Sequence, residues 1–149
     1  DKPRVPASNA KVLTGAAAVD PAIGVLPALL ALVLFLWTPP HFWSLAIANR
    51  DDYAAAGVPM LPVVFGNERA ARIVHANAIV LVAVSLLPAL AGAGPAYLVA
   101  ALLGGAHFLR RTHALARDPR RERAMAAFFA SMVQLSLLVL GVAVDAALR

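Results

Sequence analysis

Two adjacent carboxylates, Asp51 and Asp52, open the run Asp51-Asp52-Tyr53-Ala54-Ala55-Ala56-Gly57-Val58-Pro59-Met60-Leu61-Pro62, with Arg50 directly before them. Such a pair can hold Mg²⁺, which takes oxygen ligands in octahedral array and commonly bridges carboxylates to phosphates. Arg50, with Arg69 and Arg72 further along, supplies guanidinium groups suited to phosphate oxygens. An ordinary solvated turn is the competing reading, and two aspartates by spacing alone favour it. Upstream lies a second constellation, Trp37-Thr38-Pro39-Pro40-His41-Phe42-Trp43. Each proline lacks an N–H and crowds the carbonyl four residues back, so Phe35 and Leu36 lose their helical partners. His41 follows this break. Its imidazole either bonds a freed carbonyl or contacts a ligand, with haem ligation as one special case.

If a helix resumes after Pro40, then His41, Leu45, Ala48 and Asp52 share one stripe. Eleven residues place His41 about 16 Å deeper than Asp52. Ser44 lies about 60° from His41 and Trp43 about 160° away. The span therefore offers an acidic mouth above a floor of histidine and tryptophan. That suits an amphipathic ligand with a charged head and an apolar body.

The elements that carry these groups are membrane spans. Hydrophobic residues make up 61% of the 149 and charged residues 14%, against about 45–50% and about 25% in ordinary globular chains. Pro21–Asn49 carries no Asp, Glu, Lys or Arg; as one helix it would reach about 43 Å, beyond the about 30 Å hydrocarbon core. Pro39-Pro40 is expected to break it. Ile73–Leu109 is also free of these charges, too long for one span, and Gly92-Ala93-Gly94-Pro95 divides it. Ala124–Val144 supplies the last run. The expected fold is an all-α integral membrane domain over 21–149, with four transmembrane helices near 22–48, 73–91, 96–110 and 124–144. Residues 1–20 form a polar segment before it, read as the remnant of an upstream region because the chain begins at Asp rather than Met.

The net charge of +5 sits in short blocks between apolar runs, which fits loops at a membrane and not a nucleic-acid groove. Loops 49–72 and 110–123 hold nine of the 13 Lys and Arg residues. By the positive-inside bias they are cytoplasmic and both termini face out. Arg117–Arg123 reads as a topology determinant, with anionic-lipid contact as the alternative. His75 reads as interfacial, and His107 and His113 as solvated or snorkelling beside Arg110-Arg111. The absence of cysteine excludes disulfides, thiol nucleophiles and Cys-based metal sites. Small residues recur in every span and permit close helix approach.

The run Phe35-Leu36-Trp37-Thr38-Pro39-Pro40-His41-Phe42-Trp43-Ser44-Leu45-Ala46, followed by Asp51-Asp52-Tyr53, Gly57 and Pro59-Met60-Leu61-Pro62-Val63-Val64, resembles the protoheme IX farnesyltransferases. They are a branch of the UbiA-type intramembrane prenyltransferases. Looser similarity runs through Ser85-Leu86-Leu87-Pro88 and Phe128–Ser131 to Asp145. The resemblance implies a nine-helix bundle in the bacterial inner membrane, of which these spans are the last four. It implies Mg²⁺ held between two Asp-bearing cytoplasmic loops, farnesyl diphosphate as donor, and protoheme IX as the vinyl-bearing acceptor. Asp51, Asp52 and Tyr53 match the second such loop as catalytic and metal-binding residues. Arg50, Arg69 and Arg72 fall to the diphosphate. His41, Trp37 and Ser44 fall to the deeper substrate, where the haem contacts are inferred from depth and facing. The first loop, of the N-x-x-x-D-x-x-x-D kind, is absent from this sequence, so the chain alone is expected to be inactive and to need an N-terminal half. Two rivals stand: a UbiA-type enzyme with a quinone-precursor or chlorin acceptor, and an inactive membrane fragment.

Overall fold

The computed structural model describes residues 21–149, with side chains from Gly24 onward; the expected polar segment 1–20 lies outside the described residues. Among these, every regular element is a helix. Its elements are α1 (Pro21–Ala48), α2 (Arg50–Ala55), α3 (Leu61–Phe65), α4 (Asn67–Ser85), α5 (Leu87–Leu90), α6 (Pro95–Arg117) and α7 (Arg121–Ala147). The four long helices form a ring in which α1 packs on α4, α4 on α6, α6 on α7 and α7 on α1. Cross-contacts fix the directions as up-down-up-down. Trp37 of α1 reaches Ser131 of α7, His75 of α4 reaches Thr112 of α6, and Tyr97 of α6 reaches Asp145 of α7.

The expected break at Pro39-Pro40 does not occur: α1 runs unbroken through both prolines. A neighbouring helix makes this tolerable. Asn77 of α4 donates its Nδ2 to the Leu36 carbonyl at 2.9 Å, one of the two carbonyls that the prolines strip of an N–H. The interruption comes later, at Asn49, whose φ of −119° and ψ of 33° separate α1 from α2. The single stripe from His41 to Asp52 therefore ends at Ala48.

Three helical segments, Gly24–Ala48, Asn67–Leu90 and Arg121–Ala147, are long and apolar enough to cross a membrane. The chain is thus a multi-pass α-helical membrane protein. The expected third span, 96–110, lies within α6 and is not among the three, because α6 carries Arg110 and Arg111 within a 23-residue helix. Helix ends overrun the expected spans: α4 starts at Asn67, α6 continues to Arg117 and α7 starts at Arg121. Charge ends an apolar stretch, not a helix.

Small residues set the tightest contacts. A Cβ at Gly141 would meet the Tyr97 backbone at 2.8 Å, and one at Gly104 would meet Gln134 Cα at 3.2 Å, so α6 and α7 approach along a glycine-lined seam. Outward, large apolar side chains stay bare, with Phe35 71% exposed and Leu90 86%.

Candidate functional site

Where α1 ends, the chain builds a polar cavity of about 350 Å³ from four stretches. Ile47 and Ala48 close α1 with Asn49 just after it, Arg50, Asp51 and Asp52 open α2, Asn67 opens α4 and Arg121 opens α7. The local geometry follows from Asn49. Its Nδ2 donates to the Leu45 carbonyl at 3.1 Å, and the backbone turns there before α2 restarts. That turn puts both aspartates in the first turn of α2, where free N–H groups favour carboxylates.

The charges in this cavity are uncommitted. Both ion pairs among the described residues involve Asp118, paired with Arg120 and Arg123. Asp51, Asp52, Arg50 and Arg121 are in none. Arg121 Nη1 donates to the Ala48 carbonyl at 3.3 Å, and the Asn67 Oδ1 is buried without a hydrogen-bond partner among the described residues. Unpaired carboxylates next to unpaired guanidinium groups are what a ligand carrying both a cation and an anion requires. No group of three or more His, Cys, Asp or Glu suited to a metal occurs among the described residues. The two aspartates are a partial donor set, which fits Mg²⁺, an ion that fills its shell with water and substrate phosphates.

Of the expected site residues, the cavity gathers Arg50, Asp51 and Asp52. Tyr53 is half-buried on α2 and does not line it. Arg69 stands 5.2 Å over the Phe65 ring, and Arg72 is exposed; neither lines the cavity. Asn67 and Arg121 were missed. Arg121 is hidden in sequence within a block of arginines, and no spacing rule says which of them turns inward.

The second constellation lies seven residues before Ala48, about 10 Å along α1. The His41 ring is sandwiched between Trp37, at 4.1 Å and 22°, and Phe128 of α7, at 4.5 Å and 25°. His41 Nδ1 is 2.7 Å from Ser131 Oγ. The Ser131 hydroxyl donates its one proton to the Phe128 carbonyl at 2.6 Å, so it can only accept from His41. Nδ1 therefore carries the proton and Nε2 a lone pair. Trp37 Nε1 donates to the Ser131 carbonyl at 2.8 Å. Ser44 is buried and spends its hydroxyl on the Pro40 carbonyl at 2.6 Å, a helix-internal bond. Asn77, not His41, answers the freed Leu36 carbonyl. Further along the same helix pair, Leu30, Val33, Leu34, Leu138 and Val139 line an apolar cavity of about 470 Å³. The α1–α7 seam thus passes from charged to aromatic to apolar.

Two of the remaining histidines meet between α4 and α6. His75, read as interfacial, donates its Nδ1 to Thr112 Oγ1 at 2.9 Å, since that hydroxyl's proton goes to the Leu109 carbonyl. His113 meets the His75 ring edge-on at 5.3 Å.

Comparison with known proteins bears on this geometry. The chain is 60% identical over 134 residues to protoheme IX farnesyltransferase 2 of Paramagnetospirillum magneticum, covering 90% of this chain and 46% of that protein. It is 51% identical over 140 residues to protoheme IX farnesyltransferase 1 of the same organism, covering 93% and 50%. It is 48% identical over 139 residues to the protoheme IX farnesyltransferase of Frankia casuarinae, covering 91% and 48%. The chain spans about half the length of these curated relatives. No solved structure matches it. The model of the UbiA prenyltransferase family matches residues 9–137, and the chain belongs to that family.

Proposed function

We propose that this chain forms the C-terminal part of a protoheme IX farnesyltransferase, which moves a farnesyl group from farnesyl diphosphate onto a vinyl side chain of protoheme IX to give haem O. The observation that carries the reading is the α1–α7 seam: uncommitted Asp51, Asp52 and Arg50 at one end and an aromatic-flanked imidazole about 10 Å along α1. Relatives named for this reaction support it.

In this reading Asp51 and Asp52 would hold Mg²⁺, which when bound supplies positive charge against the departing diphosphate. Arg50 grips phosphate oxygens, and Tyr53, beside Asp52 on α2, belongs to the same loop. The farnesyl C–O bond breaks with its electron pair leaving on the diphosphate. The vinyl π electrons then close on the allylic cation, and water adds to the resulting carbon with loss of a proton. His41 and Trp37 offer the flat, aromatic surface for the porphyrin. Ser44 orders α1 beside them. Arg69 and Arg72 lie near enough in sequence to steer the anion.

The same reading assigns a bacterial cell-membrane protein with loops 49–72 and 110–123 cytoplasmic and an N-terminal half carrying the other Asp-rich loop. In this reading α6, packed between α4 and α7, is the further span that brings the count to four. Replacing Asp52 by Asn in the full-length protein is expected to reduce haem O formation at least about 100-fold. Undiminished turnover would sink the site. Prenylation of a quinone precursor or chlorin in place of haem would favour the other UbiA-type reading, and no turnover by any full-length form would favour an inactive bundle.

A further inference from the structure

The α7 N-terminus carries Arg120, Arg121 and Arg123, which the sequence cannot tell apart. The structure does. Asp118 takes Arg120 and Arg123 as ion-pair partners, and only Arg121 turns to line the cavity with Asp51 and Asp52. One of its five N–H donors goes to the Ala48 carbonyl; the others are free of carboxylates. Opposite it, Asn67 opens α4 with a buried Oδ1 that has no partner among the described residues. Two long helices, α4 and α7, thus bring their N-termini, with free N–H groups and positive dipole ends, to one cavity.

We propose that Arg121 is a diphosphate-binding residue, so that the start of α7 joins the segment between α1 and α4 in holding the anionic head of the substrate. This rests on the farnesyl diphosphate reading above and adds a residue to it. Arg121 is suited to two tasks at once. One N–H ties down the C-terminus of α1, and the rest of the fork meets phosphate oxygens in the bidentate way a lysine cannot. Docking of the anion then also fixes α1 against α7, the pair that holds His41 between Trp37 and Phe128.

The test uses the full-length protein in a non-ionic detergent free of anionic lipid, so that lipid headgroups cannot supply the effect. Arg121→Gln should lower kcat/KM for farnesyl diphosphate by about 10- to 100-fold and weaken inhibition by inorganic pyrophosphate by a similar factor. Arg121→Lys should recover part of that loss, and Arg120→Gln should change neither quantity. A lowered melting temperature with both quantities unchanged would reduce Arg121 to an anchor of the Ala48 carbonyl and overturn the proposal. Equal losses in Arg120→Gln and Arg121→Gln would also overturn it, since any basic residue would then serve. Asp52→Asn run alongside separates the levels. If it abolishes turnover while Arg121→Gln is normal, only the Arg121 inference fails; if Asp52→Asn is fully active, the reading beneath it fails too.

Discussion

The two ends of the bundle use aspartate in opposite ways. At the end where α6 begins, Asp145 is buried, 6% exposed, and fully engaged. Its two oxygens accept from the Ala96 and Tyr97 N–H groups at 3.1 and 2.8 Å. It caps α6 from another helix, and the carboxylate presses so closely on Gly94 that no Cβ fits there. Tyr97 extends the lock by donating its hydroxyl to the Ser85 carbonyl at 2.8 Å. At the opposite end Asp51 and Asp52 are exposed and belong to no ion pair among the described residues. A carboxylate whose oxygens are spent on backbone N–H groups holds a fold together; one left unspent beside a cavity is available to a ligand.

The sharpest way to break this contrast is to remove the carboxylates one at a time and measure unfolding. Asp145→Ala strands two N–H donors at the buried start of α6 and should cost about 2–4 kcal/mol of stability. Asp52→Ala should stay within about 0.5 kcal/mol, as exposed substitutions do, while turnover falls. Thermal or denaturant unfolding in one detergent compares them directly. If Asp52→Ala destabilises as much as Asp145→Ala, the division into structural and ligand-facing carboxylates is wrong.

A smaller effect is expected at the middle of the seam. Ser131→Ala removes the acceptor that keeps the proton on His41 Nδ1, but it leaves the bond from Trp37 to the Ser131 backbone carbonyl intact. The helix pair should therefore hold. On the reading that His41 contacts the porphyrin, haem affinity should fall about 10-fold as the imidazole loses its fixed tautomer. Haem titration by absorbance reads the change; an unaltered affinity would leave the Ser131–His41 bond a packing detail.

Much of this was legible in the sequence, for definable reasons. Freedom from charge marked α1, α4 and α7, because hydrocarbon excludes charge whatever else a segment does. Asp51, Asp52 and Arg50 stood out as neighbours in the chain, and they stay neighbours in space. The helix ends were not legible, since Arg110 to Arg117 end the apolar stretch while helical hydrogen bonding carries α6 onward. Pro39-Pro40 looked like a break because the compensating donor, Asn77, sits on another helix. Arg121 was invisible for the same kind of reason: the carbonyl it reaches, that of Ala48, sits on another helix. Local chemistry shows in a sequence, whereas pairing across helices waits for the fold.

Asp118 supplies the intermediate case between the two ends, a half-buried position with a spent carboxylate, and the smallest expected effect. The hydrogen bond from Arg120, reinforced by the charges of Arg120 and Arg123, holds its carboxyl below the usual range. A depressed native pKa means that the stabilisation is present above the unfolded value, near about 3.9, and is lost as pH falls through the native one. Unfolding followed from about pH 5 down to about pH 3 should therefore show a slightly shallower acid loss in Asp118→Asn than in the unaltered chain. The substitution also frees Arg120 and Arg123 beside the cavity without touching Asp51 or Asp52. If pairing at Asp118 is what keeps those arginines out of the site, the variant should bind pyrophosphate at least as tightly as before. Weaker binding would mean that Asp118 positions Arg121 and does more than occupy its neighbours.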